Sequence, residues 1–272
     1  MQTITAHGLS MPKLGLGTYR MTGAACQRAV ESALALGYRH IDTAEMYANQ
    51  DAIGAAIAAA GLPRSALHIT SKVHHALQTP GRIRASCAES LRQLRTDYLD
   101  LCLVHWPRPG IDLPVVLETL MDLQRRGLTR HIGVANFPIA LLRQAIEVIQ
   151  APIVCNQIEY HVLIDQAQLL AYMRAHGLPA VAHVPLAQGR LADQPALAAI
   201  GRKHGATPAQ VALQWLLAQP DVAAVPKAER PENQAANLAA VALRLDDADI
   251  AAIAALPKRT RFVNPPFAPQ WD

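Results

Sequence analysis

Leu99-Asp100-Leu101-Cys102-Leu103-Val104-His105 is an apolar run that ends on an ionisable residue, and the segment before it carries Ile83, Cys87, Leu91 and Leu94 at steps of four, four and three. The run reads as a buried strand and the segment as a helix with one apolar face. Working outward, the same alternation repeats about every 30 residues. Its strand members are Leu14 to Thr18, Arg39 to Thr43, Leu67 to Lys72, Leu99 to His105, His131 to Ala135, Ile153 to Ile158, Ala180 to Val184 and Val222 to Pro226. Leu142, Ile146 and Ile149 mark another helical stripe. Thr79-Pro80 and Thr207-Pro208 each offer a capping hydroxyl before a proline at the first helical position, with Gln210 placed to close a capping box. Strands that alternate with helices run parallel, joined by helical crossovers.

Eight such units in 272 residues fit an α/β chain of the (β/α)8 TIM-barrel type. A doubly wound open sheet has fewer strands and keeps a glycine fingerprint after its first one. Gly15-Leu16-Gly17-Thr18 begins like that fingerprint but has Arg20 at the third glycine position, so it reads as a turn pair. No Gly/Ser linker or charge block divides the chain. Residues 1–272 are therefore expected to form a single barrel domain, with a C-terminal tail over the barrel mouth.

Half the residues are hydrophobic, 51%, which is enough for a full core. The 25 Lys and Arg exceed the 21 Asp and Glu by four, but they are scattered, with no basic run interleaved with aromatics. That pattern speaks against nucleic acid as a partner. Cys26, Cys87, Cys102 and Cys155 form no CxxC pair and read as reduced core residues. Met1 to Met11 has no leader pattern, and no window approaches the ~20 apolar residues of a membrane span. The expected setting is cytoplasmic, away from membranes.

In a parallel barrel the reactive groups gather at the carboxyl ends of the strands. Three successive strands end in Asp42, Lys72 and His105, with Tyr47 just beyond Asp42. These four should share one rim. Around them, Gly37-Tyr38-Arg39-His40-Ile41-Asp42-Thr43-Ala44, Leu91-Arg92-Gln93-Leu94 with Tyr98-Leu99-Asp100-Leu101, and His105-Trp106-Pro107 resemble the signatures of the aldo-keto reductase family. Gly133-Val134-Ala135-Asn136-Phe137 and Asn156-Gln157-Ile158-Glu159-Tyr160-His161 extend the resemblance nearly end to end, and Pro269-Gln270-Trp271-Asp272 is similar to the bacterial diketogluconate and methylglyoxal reductase branch.

The resemblance implies reduction of an aldehyde or ketone by a nicotinamide nucleotide, with Tyr47 as general acid, Lys72 and Asp42 as its tuning pair and His105 orienting the carbonyl. Chemistry supplies an independent reason for the foursome, because the carbonyl oxygen needs a proton within one dry pocket. A phenol, with a reference pKa of ~10, becomes a tunable donor when an ammonium favours its phenolate.

By the same resemblance the cofactor is NADPH, with NADH possible. Asn136 and Gln157 would meet its carboxamide, Thr18, Tyr19 and Asp42 its ribose, and Lys227 with Arg230 its 2′-phosphate, with Leu186, Gln188 and Asn237 completing the set. The chain departs from the family at Ala135, where Ser is common, at His183, where a Tyr usually stacks on the nicotinamide, and at Ala228 and Asn233 near the phosphate. His183 either stacks in the Tyr's place, with an affinity that depends on pH near neutrality, or faces the pocket and binds substrate. Tyr19, His74, Trp106 and Trp271, with Phe267, are the expected substrate lining.

Two rival classes remain. A metal-dependent barrel hydrolase has only the pair His40 and Asp42 to offer, with no second ligand pair; no metal is expected. A nucleotide-binding sensor of the same fold with little turnover is the other. The expected partner is a small carbonyl compound, and family analogy favours a monomer.

Overall fold

The computed structural model describes residues 2–76 and 78–272. Met1, the first residue of the segment read for a leader, lies outside them. The chain opens with a hairpin, β1 (Thr3–Ala6) and β2 (Leu9–Pro12), paired antiparallel. His7 and Gly8 form its turn, both with positive φ, 49° and 79°, as a two-residue turn of the primed type requires.

Among the described residues the barrel strands are β3 (Leu16–Gly17), β4 (His40–Asp42), β5 (His68–Val73), β6 (Leu99–Val104), β7 (Thr129–Ala135), β8 (Ile153–Glu159), β9 (Ala180–His183) and β10 (Val222–Ala224). They stand in sequential order in one sheet, and every neighbouring pair is parallel. Parallel bridges from Leu14 to Ala224 and from Gly17 to Lys227 join the last strand to the first. The sheet closes into a (β/α)8 barrel. All eight expected strands are present within a few residues of their sequence bounds.

Gly15 and Gly17 lie at this seam, and neither has positive φ. They are not the turn pair expected from sequence. A Cβ at Gly17 would lie 2.4 Å from the Val225 carbonyl oxygen, and one at Gly15 2.6 Å from the His40 ring. Gly17 permits the close backbone approach across the seam, and Gly15 leaves room for the His40 ring.

The crossover helices are α1 (Gly23–Ala35), α2 (Gln50–Ala60), α3 (Pro80–Leu94), α4 (Leu113–Arg125), α5 (Ile139–Arg143, followed by a π turn), α6 (Ala167–Ala175), α7 (Pro195–His204), α8 (Pro208–Leu217) and α9 (Pro231–Ala240), with α10 (Asp247–Ala254) at the end. Ile83, Cys87, Leu91 and Leu94 are all buried on α3 as their spacing predicts. The Thr207–Gln210 capping box forms, whereas the Thr79 hydroxyl caps nothing. Inside the barrel, Leu101, Leu103, Val154, Val181 and Ala223 form one apolar cluster with Ile4, Leu9 and Met11. The hairpin therefore plugs the amino-terminal end of the barrel and leaves the carboxyl ends of the strands as its mouth.

Candidate active site

β4 and β5 end side by side, and their terminal charges meet. Lys72 Nζ lies 2.6 Å from Asp42 Oδ1 and donates to the Thr43 carbonyl at 2.8 Å. Gln157 Nε2, from β8, donates to the other Asp42 oxygen at 2.7 Å. Lys72 is 2% exposed and Asp42 3%, so neither charge is screened by water. Burial pulls the Lys72 ammonium below the usual lysine value, and the Asp42 charge beside it opposes that pull. A buried pair of this kind does little for stability. Its presence points to chemistry.

The short helical turn Glu45–Tyr47 after β4 returns Tyr47 over this pair. Lys72 Nζ is 5.3 Å from the centre of the Tyr47 ring, and the His105 ring, at the end of β6, is 5.7 Å away edge-on. Tyr19 closes the other side at 5.0 Å and is half exposed. The four residues expected at one rim are thus brought together.

From sequence, Lys72 is expected to favour the Tyr47 phenolate. The direction is reversed in the structure. The phenol is pushed well above its ordinary value, first by burial, then by Asp42 and Tyr19. Burial is the larger cause, and the ammonium that would oppose it is committed to Asp42 and the Thr43 carbonyl. Tyr47 keeps its proton, as an acid must before it gives one.

His105 is held neutral, its pKa drawn well below the usual imidazole value by burial and then by Lys72, His183, His74 and His75. Its Nδ1 is buried without a partner among the described residues. A neutral imidazole has one N–H to donate, which suits a carbonyl oxygen.

Asn136, at a positive φ of 63° after β7, donates from Nδ2 to the His105 carbonyl at 2.9 Å. Its Oδ1 accepts from His183 Nε2 at 2.7 Å. His183 is drawn down to about 4 by burial and by Lys72 and Arg261, against Glu159 and Asp42. Burial thus favours the neutral ring near neutrality. An amide has two N–H groups and two lone pairs. Asn136 therefore retains one of each, the complement of a carboxamide.

The remaining residues of the expected cofactor set lie apart from the four. Thr18 is buried, its hydroxyl on the Asp42 carbonyl at 2.9 Å. Leu186 is half-buried, and Gln188 is exposed with positive φ. Lys227 follows β10 and pairs with Glu229 at 2.8 Å, while Arg230 is the exposed N-cap residue of α9. Asn237 is buried near the Tyr38 phenol, whose hydroxyl donates to the Gln234 carbonyl at 3.0 Å.

On the substrate side, Trp106 is buried and its ring meets Phe267 at 5.8 Å and Trp271 at 6.1 Å, both nearly edge-on. His74 stacks on His75 at 4.2 Å and His75 on Phe267 at 3.9 Å. His75, Arg261, which lies 3.7 Å over the Trp271 ring, and Glu159 carry no expectation from sequence. His75 adjoins His74, and that adjacency was the one available signal. Among the described residues no cluster of three His, Cys, Asp or Glu is disposed to hold a metal, and no helix is long and apolar enough to cross a membrane.

Comparison with known proteins agrees with this geometry. Residues 13–258 match the model of the aldo/keto reductase family. Methylglyoxal reductase DkgB of Salmonella typhimurium is 40% identical over 268 residues, covering 97% of this chain and 100% of that protein. A crystal structure assigned provisionally as a 2,5-diketo-D-gluconic acid reductase B superposes with a TM-score of 0.97 at 38% identity, covering 100% of this chain and 98% of the other. The aldose reductase of Schistosoma japonicum superposes with a TM-score of 0.91 at 30% identity, over 96% and 94%.

Proposed function

This chain belongs to the aldo/keto reductase family and is an oxidoreductase of carbonyl groups, and on that premise we propose that it reduces aldehydes and ketones, small α-oxoaldehydes and keto sugars among them, with NADPH and with Tyr47 as general acid. The observation that carries the reading is the buried Asp42–Lys72 pair beneath a Tyr47 ring that keeps its proton, with the neutral His105 ring alongside.

Bound reduced nicotinamide supplies a hydride to the carbonyl carbon. Asn136 holds its carboxamide with the N–H and lone pair that His105 and His183 leave free, and Gln157 joins it there. His183 borders the same amide, consistent with a place against the nicotinamide. Lys227, paired with Glu229, and Arg230 nearby would hold the 2′-phosphate, and that exposed, exchangeable pair leaves NADH as a second donor.

His105 donates to the substrate oxygen and fixes its direction, which matters because hydride transfer tolerates little misplacement. Tyr47 then gives its proton to that oxygen. Lys72, 5.3 Å from the ring, is the cation beside the phenolate left behind, its field partly offset by Asp42. Trp106, His74 and Trp271 line the substrate space. We propose further that residues 1–272 act as one barrel domain with the tail over its mouth, as a cytoplasmic monomer.

The test is carbonyl-dependent oxidation of NADPH and of NADH with methylglyoxal, a diketogluconate and a nitrobenzaldehyde, repeated with Tyr47→Phe. Oxidation by the parent protein that disappears in the variant, with nucleotide still bound, supports the assignment. Nucleotide binding with no oxidation of any carbonyl by the parent protein turns the assignment to a nucleotide-binding sensor.

A further inference from the structure

Glu159 is the last residue of β8, at the barrel mouth, and it is 1% exposed. An unpaired carboxylate buried there costs several kcal/mol by itself, so its partners explain why it is there. They are His161 Nε2 at 3.0 Å, the Phe262 amide at 2.6 Å and the Val263 amide at 2.9 Å. His161 Nδ1 accepts from the Leu163 amide, so the ring is the Nε2–H tautomer and donates while neutral. Two of the three donors thus belong to the segment that follows α10. Burial raises the Glu159 carboxyl, but His161 and the two amides together outweigh it and hold it below the ordinary value.

That segment, residues 257–272, crosses the mouth. It starts with a strand-like contact in which Thr260 donates to the Leu163 carbonyl at 2.9 Å. It ends where the Asp272 carboxylate accepts from the Ile139 amide at 3.0 Å, on an exposed surface. Between these ends, Phe267 lies on His75 and Trp271 beside Trp106. The Glu159 clasp attaches the segment to a buried carboxylate. Charge-assisted bonds to backbone amides are roughly twice as strong as neutral ones, and they fix the chain whatever side chains it carries.

We propose that Glu159 is a positioning residue for substrate selection: by clasping the Phe262 and Val263 amides it sets where Phe267 and Trp271 stand against the pocket, without touching substrate. This rests on the reductase reading for its consequence, though the clasp itself does not. Carbonyl compounds large enough to reach the tail depend on it. Those that occupy only the space around Tyr47 and His105 do not.

Two variants test it. Glu159→Gln keeps the volume but sets an N–H against one of the amide donors, and Val263→Pro deletes one of the clasped amides from the tail alone, leaving the barrel untouched if the first variant fails to fold. In both, the KM for a nitrobenzaldehyde is expected to rise about tenfold while its kcat, and both constants for methylglyoxal, change less than about twofold. Nucleotide affinity stays the same. Independently of turnover, trypsin cleavage after Lys258, Arg259 or Arg261 is expected to quicken about tenfold, since the opened tail is what the protease cuts. Unchanged cleavage in both variants overturns the clasp, and faster cleavage with equal losses for small and large carbonyls overturns the role in selection. Should the parent protein reduce nothing, cleavage alone still decides the clasp, and that failure belongs to the reductase reading.

Discussion

Two neighbouring strands carry a titratable pair at each of their ends, and the two pairs resolve the same problem in opposite ways. At the base, His40 and His68 are register partners of β4 and β5, their rings 4.8 Å apart and edge-on. At the mouth, Asp42 and Lys72 stand 2.6 Å apart. All four are buried. The imidazoles shed their charge: burial draws His40 below its ordinary pKa and His68 well below. His40 needs none, since its ring nitrogens meet the Pro12 carbonyl and the Thr70 hydroxyl. The mouth pair has a counter-charge within hydrogen-bonding distance, which is the condition for keeping charge in a dry interior. The base is built for closure, and the mouth retains charge that only a reaction uses.

The comparison breaks most sharply at Lys72. Lys72→Met is expected to cost about 3–5 kcal/mol of stability, because Asp42 is left buried and unpaired, and to abolish measurable turnover. Adding Asp42→Asn should return most of the stability and none of the activity, a coupling that urea denaturation of the single and double variants measures. If the double variant is as unstable as the single one, the pair is structural and the contrast with the base collapses. Tyr47→Phe is the companion at the mouth. Its kcat should fall about 10²- to 10⁴-fold, the share of a general acid, with an unchanged denaturation midpoint.

The base should respond to acid through its two imidazoles. Both histidines have folded-state pKa values below the ~6.5 of an unfolded imidazole. Below that pH the unfolded chain binds more protons than the folded one, so the unfolding free energy falls as pH falls. The stability is whole above about pH 6.5 and is lost progressively on the way down to the folded values, at no more than about 1.4 kcal/mol per pH unit for each ring. His105 and His183 add to the same slope. His68→Leu separates the base's share: denaturation between pH 7 and pH 5 should show a shallower loss, with kcat at pH 7 unchanged. An equal slope in that variant would mean that His68 is not neutral in the fold.

The same physics explains what was legible in the sequence. Each barrel strand is covered on both faces, so each appears as a continuous apolar run, and all eight were recoverable along with the helix stripes. The four rim residues were recoverable because strand ends are where a parallel barrel exposes side chains. The β1–β2 hairpin was not foreseen, although His7-Gly8 between Ile4 and Leu9 is a turn signal; four-residue strands give too little alternation to stand out. The role of Gly17 is hidden because its close approach to Val225 joins residues about 200 positions apart, and that of Gly15 because it faces the His40 side chain of the next β/α unit, neither of them a local pattern. Glu159 and the tail it grips escaped for a related reason. Its bonds go to backbone amides, which carry no residue identity, and an extended tail has no period. The rise in the Tyr47 pKa comes first from burial of the ring, which no sequence motif holds.

An exposed pair completes the series. Lys227 and Glu229 are 2.8 Å apart, each side chain 43% exposed, so solvent and salt screen what binds them and little is lost when they part. The pair therefore neither stabilises the fold as the base does nor stores charge as the mouth does. On the proposed NADPH reading its consequence is competition, since a 2′-phosphate held at Lys227 would have to draw that side chain away from Glu229. Glu229→Gln removes the competitor and keeps the lysine, and should tighten NADPH by roughly twofold to fivefold with NADH unaffected. The gain should shrink as ionic strength rises, because it is a screened, surface effect. Lys227→Met should erase the difference between the nucleotides from the other side. If NADPH affinity is indifferent to both substitutions at low salt, the 2′-phosphate is not held at Lys227, and nucleotide choice must rest on other residues near the start of α9.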